Sequence, residues 1–367
     1  MHDHWIAERM GRIDSSGIRK VFELARTLKN PVNLSIGQPD FDVPEPIKAA
    51  AHVAIDRGFN GYTASPGIPE LRTKLLHEVQ RLYPRADRDV FITSGSTGGL
   101  ALAMLCVVNP GDEVVIFDPY FVLYPHLVSF AGGKPVIIDT YPNFEIDLDK
   151  VRAALSPKTK AIIVNSPANP TGNVCSTASL RDLAQLAHER GILLLSDEIY
   201  RAFCYDVPFC SPAEFNDDVR VFDGFSKAYG MTGWRLGYVH GPRRLIDEMI
   251  KLQQYTYVCA PSIVQQAGVT ALDYDVSGIS AAYGAKRDRL YDGIKDRYDV
   301  VKPNGAFYLY PKAPRGSGTE FVAEAIRNNL LCIPGNVFSH RDTHFRLSYA
   351  ADDAVIDCGI EILNRLA

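Results

Sequence analysis

Short apolar runs alternate with amphipathic stretches through the middle of the chain, and this rhythm constrains the fold more than any other feature. Helical patterns cover residues 124–131 and 177–190, and the runs around them predict strands at 113–117, 134–138, 161–164 and 191–195. Strands that alternate with helices form parallel sheets covered by helices, and such sheets bind ligands at the carboxyl ends of their strands. The sequence therefore predicts an α/β fold with a mostly parallel sheet and a site at that edge.

The chain is long enough for two domains, because it has 367 residues of which 46% are hydrophobic. Its net charge of −4 argues against a nucleic-acid partner. We find no apolar run of eighteen residues and no signal peptide, so no membrane span is expected. The seven scattered cysteines, an odd number without a Cys-x-x-Cys pair, indicate reduced thiols in a cytoplasmic protein. We expect no metal site.

Three polar residues are predicted to follow strands of this sheet: Asn169, Asp197 and Lys227. Asp197 comes directly after a fully apolar strand, where an unpaired buried carboxylate is costly. It therefore needs a cation or a donor, which is either a structural partner within the protein or a protonated nitrogen of a ligand.

The segment 222–237 presents Lys227 after a short apolar strand and a glycine turn. Partial desolvation in such a turn favours the neutral amine, which suits Schiff-base chemistry. Arg235 lies eight residues further on, and its planar guanidinium suits a phosphate group. The alternative interpretation is a surface lysine and a structural arginine.

A second anion site is predicted around Ser96 and Thr97. Residues 89–93 form a strand, 94–99 a loop of small residues and 100–108 an apolar helix. Free N–H groups at a helix N-terminus and nearby hydroxyls bind phosphates. The loop lacks the P-loop lysine and the dinucleotide spacing, so we expect a phosphate but not a nucleotide.

The two ends of the chain are predicted to form a smaller α+β domain. The pattern gives an N-terminal helix within residues 6–30, helical structure over 242–272, a long helix at 279–298 and a strand–helix mixture thereafter. We therefore assign 36–284 to a large domain and 1–35 with 285–367 to a small domain that closes over the site. Gly37, on the segment that joins them, leaves backbone open to a ligand or simply serves a turn.

Four motifs occur in order along the chain: Asn169-Pro170-Thr171-Gly172, Asp197-Glu198-Ile199-Tyr200, Ser226-Lys227 with Arg235, and Phe345-Arg346-Leu347-Ser348. With these motifs the whole chain resembles the class I aminotransferases, the fold-type I pyridoxal-phosphate enzymes related to aspartate aminotransferase. The resemblance implies a ping-pong exchange of an amino group between an L-amino acid and a 2-oxo acid, with pyridoxal 5'-phosphate as the cofactor.

The resemblance also implies a role for each residue. Lys227 forms the Schiff base with the cofactor and later moves the substrate proton, while Asp197 keeps the pyridine nitrogen protonated. Arg346 binds the substrate carboxylate beside the backbone of Gly37. The remaining cofactor contacts are Asn169 and Tyr200 to the phenolic oxygen, Phe121 to the ring, and Ser96, Thr97, Ser226 and Arg235 to the phosphate.

Tyr62 is implied to reach the phosphate of a neighbouring subunit, so the resemblance predicts a homodimer with shared sites. The chain departs from the family in having no arginine between Tyr255 and Gln266, the region that supplies a clamp for a second carboxylate in some aspartate enzymes. Strict dicarboxylate specificity is therefore in doubt, and Tyr255 and Tyr257 line an apolar pocket or pack between helices.

Two other functions remain compatible with these motifs. A β-lyase of the cysteine-conjugate type would use the same cofactor and fold but break a different bond. A non-catalytic sensor that binds the cofactor would retain the fold without turnover, although the retained Lys227 and Asp197 argue against it.

Overall fold

The structure is a computed structural model that describes residues 3–13, 17–18, 28–84 and 87–367. Within the predicted N-terminal helix, residues 8–12 form a short 3₁₀-helix instead. Residues 17–18 are helical as predicted, whereas residues 28–30 form a bend. Val21, Phe22 and Leu24 lie outside the described residues.

A seven-stranded sheet forms the centre of the molecule, with strand order β2-β8-β7-β6-β5-β3-β4. Only β8 runs antiparallel to its neighbours, so the mostly parallel sheet predicted from the sequence is confirmed. The described residues contain twelve strands: β1 (Val32–Asn33), β2 (Arg88–Thr93), β3 (Glu113–Asp118), β4 (Lys134–Asp139), β5 (Thr159–Asn165), β6 (Leu193–Asp197), β7 (Arg220–Gly224), β8 (Gly237–Pro242), β9 (Tyr308–Leu309), β10 (Leu330–Leu331), β11 (Ile333–Pro334) and β12 (Phe345–Ser348).

Successive residues of these strands alternate between two apolar cores. Ile162 packs into the core on one face, and Ile163 packs into the core on the other face. Because both faces are covered, the strands read as continuous apolar runs rather than as alternating patterns. The α-helices that the structure describes are Glu45–Asp56, Pro69–Leu82, Gly95–Val107, Leu123–Phe130, Leu148–Ala154, Thr177–Glu189, Arg243–Gln253, Ser262–Ala271, Gly278–Ile294, Gly318–Arg327 and Asp353–Leu366.

The prediction of helical structure over residues 242–272 is wrong where it treats the stretch as continuous. The structure has two helices there, Arg243–Gln253 and Ser262–Ala271, with a break between them. Val258 in the break adopts a positive φ of 63°. Pro261 follows at the N-cap of the second helix, where a proline that lacks an N–H group cannot continue the preceding helix. The sequence pattern also missed β8, which lies directly before this stretch.

A smaller α+β unit contains the antiparallel sheet β11-β12-β9 and the parallel pair β1-β10. Its aromatic core includes Phe321 and Phe345, whose ring centroids lie 4.4 Å apart. Tyr283, on the helix Gly278–Ile294, packs into the same core. The domain boundaries stay a prediction, and the one between residues 284 and 285 falls inside this helix. No helix in the described part of the chain is long and apolar enough to cross a bilayer.

Candidate active site

Lys227 follows the end of β7, where Gly224 lets the backbone of β8 approach closely. A Cβ atom added to Gly224 would lie 2.9 Å from the Cα atom of Gly237 and from the carbonyl oxygen of Leu236. These are backbone atoms that no rotamer change can move, so a side chain at this position would displace the neighbouring strand. The Nζ atom of Lys227 donates to the carbonyl oxygen of Gly37 over 2.6 Å.

The surroundings of Lys227 favour its neutral form. Burial, together with the positive charges of Arg346 and Arg235, lowers the pKa of Lys227 to about 7. The charge of Asp197 opposes this effect only weakly. A substantial fraction of the amine is therefore unprotonated at neutral pH, which is the form that attacks a carbonyl carbon and accepts a proton.

Asp197 ends β6 and is buried. The hydroxyl of Tyr124 donates to its Oδ2 atom over 2.8 Å, and the N–H group of Ile199 donates to Oδ1 over 3.3 Å. Burial raises the pKa of Asp197 to about 6, and the two hydrogen bonds oppose that rise. A buried carboxylate whose hydrogen-bond donors are neutral suits a protonated ring nitrogen as its counterion.

A helix N-terminus and an arginine come together at one part of the site and suit an anion. Ser96 and Thr97 lie in the first turn of the helix Gly95–Val107, and Arg235 reaches the same place from the loop after Lys227. Arg235 has the left-handed backbone angles φ 58° and ψ 47°, which are costly for a residue with a side chain. Gly95 has φ 72°, and a Cβ atom there would lie 2.5 Å from the Arg235 guanidinium.

Arg346, on β12, lines the same cavity and is 1% exposed. Its Nη1 atom donates to Oδ1 of Asn169 over 2.9 Å, and Nη2 donates to the carbonyl oxygen of Ser35 over 2.8 Å. The guanidinium carbon lies 4.5 Å from the ring centroid of Tyr308 and 4.7 Å from that of Phe338. Burial lowers the pKa of Arg346 below its ordinary value. An arginine guanidinium can bind a carboxylate through two parallel N–H groups, so Arg346 suits a carboxylate in this cavity.

These groups line one cavity of about 290 Å³ at the carboxyl ends of β5, β6 and β7. All but one of the residues predicted from the sequence line it: Gly37, Ser96, Thr97, Phe121, Asn169, Asp197, Tyr200, Ser226, Lys227, Arg235 and Arg346. The exception is Tyr62, whose side chain is 88% exposed at the surface. Its predicted contact with a partner subunit stays a prediction.

Two tyrosines of the cavity were missed by the sequence analysis. Tyr124 lies three residues after Phe121, and its ring packs edge-on against that of Phe121 with centroids 5.7 Å apart. Tyr308 belongs to β9, and its hydroxyl lies 2.8 Å from that of Tyr200. Helical spacing from Phe121 is a signal that could have identified Tyr124. The sequence around Tyr308 does not distinguish it as a site residue, because its neighbours Phe307 and Tyr310 are also aromatic.

The residues present fit pyridoxal phosphate. The helix N-terminus and Arg235 suit its phosphate, and Asp197 suits its ring nitrogen. Lys227 lies in the same cavity and suits its aldehyde. A nucleotide has no aldehyde that would use the amine of Lys227.

The model of the family described as aminotransferase class I and II matches residues 29–363. The chain belongs to this family, and it is a pyridoxal phosphate-dependent aminotransferase.

Named relatives span nearly the full chain. A probable aspartate aminotransferase of Methanocaldococcus jannaschii is 38% identical over 98% of this chain and 99% of its own. Aromatic-amino-acid aminotransferase 2 of Thermococcus litoralis is 33% identical over 94% of each chain. The solved structure of aspartate aminotransferase from Thermus thermophilus with maleate matches with a TM-score of 0.94 and 33% identity, over 99% of each chain. The predicted family, fold class, reaction and cofactor are thus confirmed.

Proposed function

We propose that this aminotransferase acts on L-amino acids with neutral side chains, aromatic or aliphatic, and that Lys227, Asp197 and Arg346 carry the reaction. The observation that supports the proposal is that one cavity brings together an amine of lowered pKa, a buried carboxylate and two arginines. Each of these groups matches one part of the cofactor or the substrate.

Bound pyridoxal phosphate supplies an aldehyde that condenses with amines and a protonated ring that withdraws electrons from the substrate's Cα atom. Asp197 would hold the proton on the ring nitrogen, because its carboxylate is buried and its hydrogen-bond donors, the hydroxyl of Tyr124 and the N–H group of Ile199, are neutral. Lys227 would take the Cα proton on its Nζ atom, since a pKa of about 7 suits an acid–base group at neutral pH.

Arg346 orients the substrate by its α-carboxylate. Two of its three nitrogens are already fixed by Asn169 and Ser35, so the guanidinium plane is set before the substrate arrives. A prearranged arginine loses little entropy on binding and positions the Cα–H bond near Lys227.

The side-chain preference follows from the charges of the cavity. Among the described residues that line it, the cations are Lys227, Arg235 and Arg346, and each already has a role. The remaining lining includes Ile18, Ile36 and other apolar or aromatic groups. A second carboxylate would find no further counterion among these described residues, which is unfavourable in a partly buried site.

A panel of amino acids tests this proposal by the change in the cofactor's visible absorption when each one reacts without a 2-oxo acid. We expect phenylalanine, tyrosine or leucine to react at least tenfold more efficiently than aspartate. Faster reaction with aspartate or glutamate would overturn the proposed preference. Release of pyruvate and ammonia from a cysteine thioether without any 2-oxo acid would indicate β-lyase activity instead.

We also propose a homodimer in which Tyr62 completes the phosphate site of the partner subunit. The 88% exposed Tyr62 and other exposed aromatic side chains, Phe59, Tyr255 and Tyr257, support this proposal. Mixing a Tyr62→Ala protein with a Lys227→Ala protein tests it, because each mixed dimer would contain one intact site. If the activity of the mixture does not exceed the sum of the activities of the two separate variants, the shared site is contradicted.

A cytoplasmic location is proposed on the basis of the cysteines. All seven are free thiols, as a reducing compartment would keep them. Cell fractionation with an antibody to the protein tests this location, and recovery from an extracytoplasmic fraction would contradict it.

A further inference from the structure

Tyr308 lies at the centre of the site, and none of the roles above uses it. Its side chain is completely buried and lines the cavity. Its hydroxyl contacts the hydroxyl of Tyr200, and its ring lies against the guanidinium of Arg346. One side chain thus contacts a group proposed for the cofactor and a group proposed for the substrate.

The two hydroxyls, 2.8 Å apart, form a hydrogen bond in which either atom can donate. A phenol has a single proton to donate. If Tyr200 gives its proton to the phenolic oxygen of the cofactor, then its own oxygen must accept from Tyr308. Hydrogen bonds in such a chain polarise and strengthen one another.

The backbone around Tyr308 leaves room for this arrangement. A Cβ atom added to Gly37 would lie 2.9 Å from the hydroxyl of Tyr308 and 3.8 Å from Nη2 of Arg346. The carbonyl of Gly37 accepts from Lys227. The segment that holds the lysine amine therefore also keeps space open for the hydroxyl of Tyr308.

The ring of Tyr308 has a second contact that does not involve its hydroxyl. Arg346 lies between the rings of Tyr308 and Phe338, at 4.5 and 4.7 Å from their centroids. A guanidinium between two aromatic faces is attracted to both by cation–π interactions, which are strongest where water is excluded. The two rings thus fix the plane in which Arg346 meets a carboxylate.

We propose that Tyr308 is a positioning residue with two separable parts. Its hydroxyl donates to Tyr200 and directs the proton of Tyr200 toward the phenolic oxygen of the cofactor. Its ring holds Arg346 in the plane that receives the substrate's α-carboxylate. The proposal rests on the proposed roles of Tyr200 and Arg346.

The hydroxyl is tested by Tyr308→Phe, with pH titration of the visible absorption of the bound cofactor as the readout. Loss of the hydroxyl weakens donation from Tyr200 to the deprotonated phenolic oxygen, so the titration midpoint rises by roughly 0.3 to 0.7 pH units. Tyr200→Phe should raise it further. Tyr310→Phe is the matched control, because Tyr310 is also buried and its hydroxyl lies 3.4 Å from that of Tyr141, outside this cavity.

The ring is tested by comparing Tyr308→Leu with Tyr308→Phe. Leucine removes the aromatic face beside Arg346, so KM for the amino acid should rise about 3- to 30-fold. Phenylalanine keeps the face and should change KM less than about twofold. Equal KM values for the two variants would overturn this half of the proposal. If the leucine protein does not fold, Tyr308→Met provides the same comparison.

The outcomes also separate this proposal from the one on which it rests. A midpoint that moves in Tyr200→Phe but not in Tyr308→Phe overturns the role of the Tyr308 hydroxyl alone. A midpoint that stays in place in Tyr200→Phe overturns the role of Tyr200 and the hydroxyl relay together. If the purified protein binds no cofactor, the proposed function itself is contradicted, independently of the role of Tyr308.

Discussion

Replacement of Lys227 by methionine should change how the stability of the cofactor-free protein depends on pH. In the folded protein the pKa of Lys227 is about 7, whereas the ordinary value is 10.5. Between these two values the unfolded chain binds more protons than the folded one, so the free energy of unfolding of the wild type rises with pH. The Lys227→Met protein lacks this contribution, so its free energy of unfolding should rise less with pH.

The size of the effect follows from the same two values. Across three pH units, from 7 to 10, a full contribution is about 4 kcal/mol at about 1.4 kcal/mol per unit. Lys227 is only partly buried, and water that enters the open cavity weakens the effect, so we expect about 2 to 4 kcal/mol. The lost hydrogen bond to Gly37 adds a constant that does not vary with pH and therefore drops out of this comparison.

Urea unfolding at pH 7, 8, 9 and 10, followed by far-ultraviolet circular dichroism at one protein concentration, measures the difference. Lys158→Met is the matched control, because Lys158 is exposed on the turn before β5. We expect the control to keep the wild-type slope. If the free energy of unfolding of Lys227→Met parallels that of the wild type over the whole pH range, the lowered pKa of Lys227 is refuted.

Three further predictions concern the carboxylate site, the ring nitrogen site and the small domain. Arg346→Lys should raise KM for the amino acid at least about tenfold, because a single ammonium cannot replace the fork held by Asn169 and Ser35; steady-state kinetics would show this. Tyr124→Phe removes a hydrogen bond that lowers the pKa of Asp197, so that pKa should rise above about 6. Asp197 then becomes protonated at a higher pH as the pH is lowered, and cofactor titrations from pH 8 down to pH 5 should show the loss of affinity beginning at a higher pH than in the wild type. Phe321→Ala should lower the free energy of unfolding by about 3 to 5 kcal/mol in urea, because it leaves a cavity beside Phe345.

The central sheet could be predicted because its strands are buried on both faces. Continuous apolar runs such as residues 161–164 and 191–195 have few alternatives to a buried strand when polar helices separate them. The strand β8 escaped prediction, since Gly237 and Gly241 give it a weak strand signal. Its place between β2 and β7 depends on partners far away in sequence.

The cofactor end of the site could also be predicted, because its residues lie next to strand ends that the sequence pattern locates. Asp197 directly follows one predicted strand and Lys227 follows the turn after another, so the parallel order of the two strands brings both residues to one edge of the sheet. Tyr308 and Arg346 belong to another sheet, and their position beside Tyr200 and Asn169 results from how the smaller unit packs.

The sequence by itself determined the α/β architecture, the family and the residue types of the site, because hydrophobic periodicity and motif order are local properties of the chain. Only the tertiary structure decided that Lys227 has a lowered pKa, that Arg346 lies between two rings, and that Tyr308 contacts Tyr200. Desolvation, stacking and hydrogen bonding depend on distances between residues that are remote in sequence, and folding alone sets those distances.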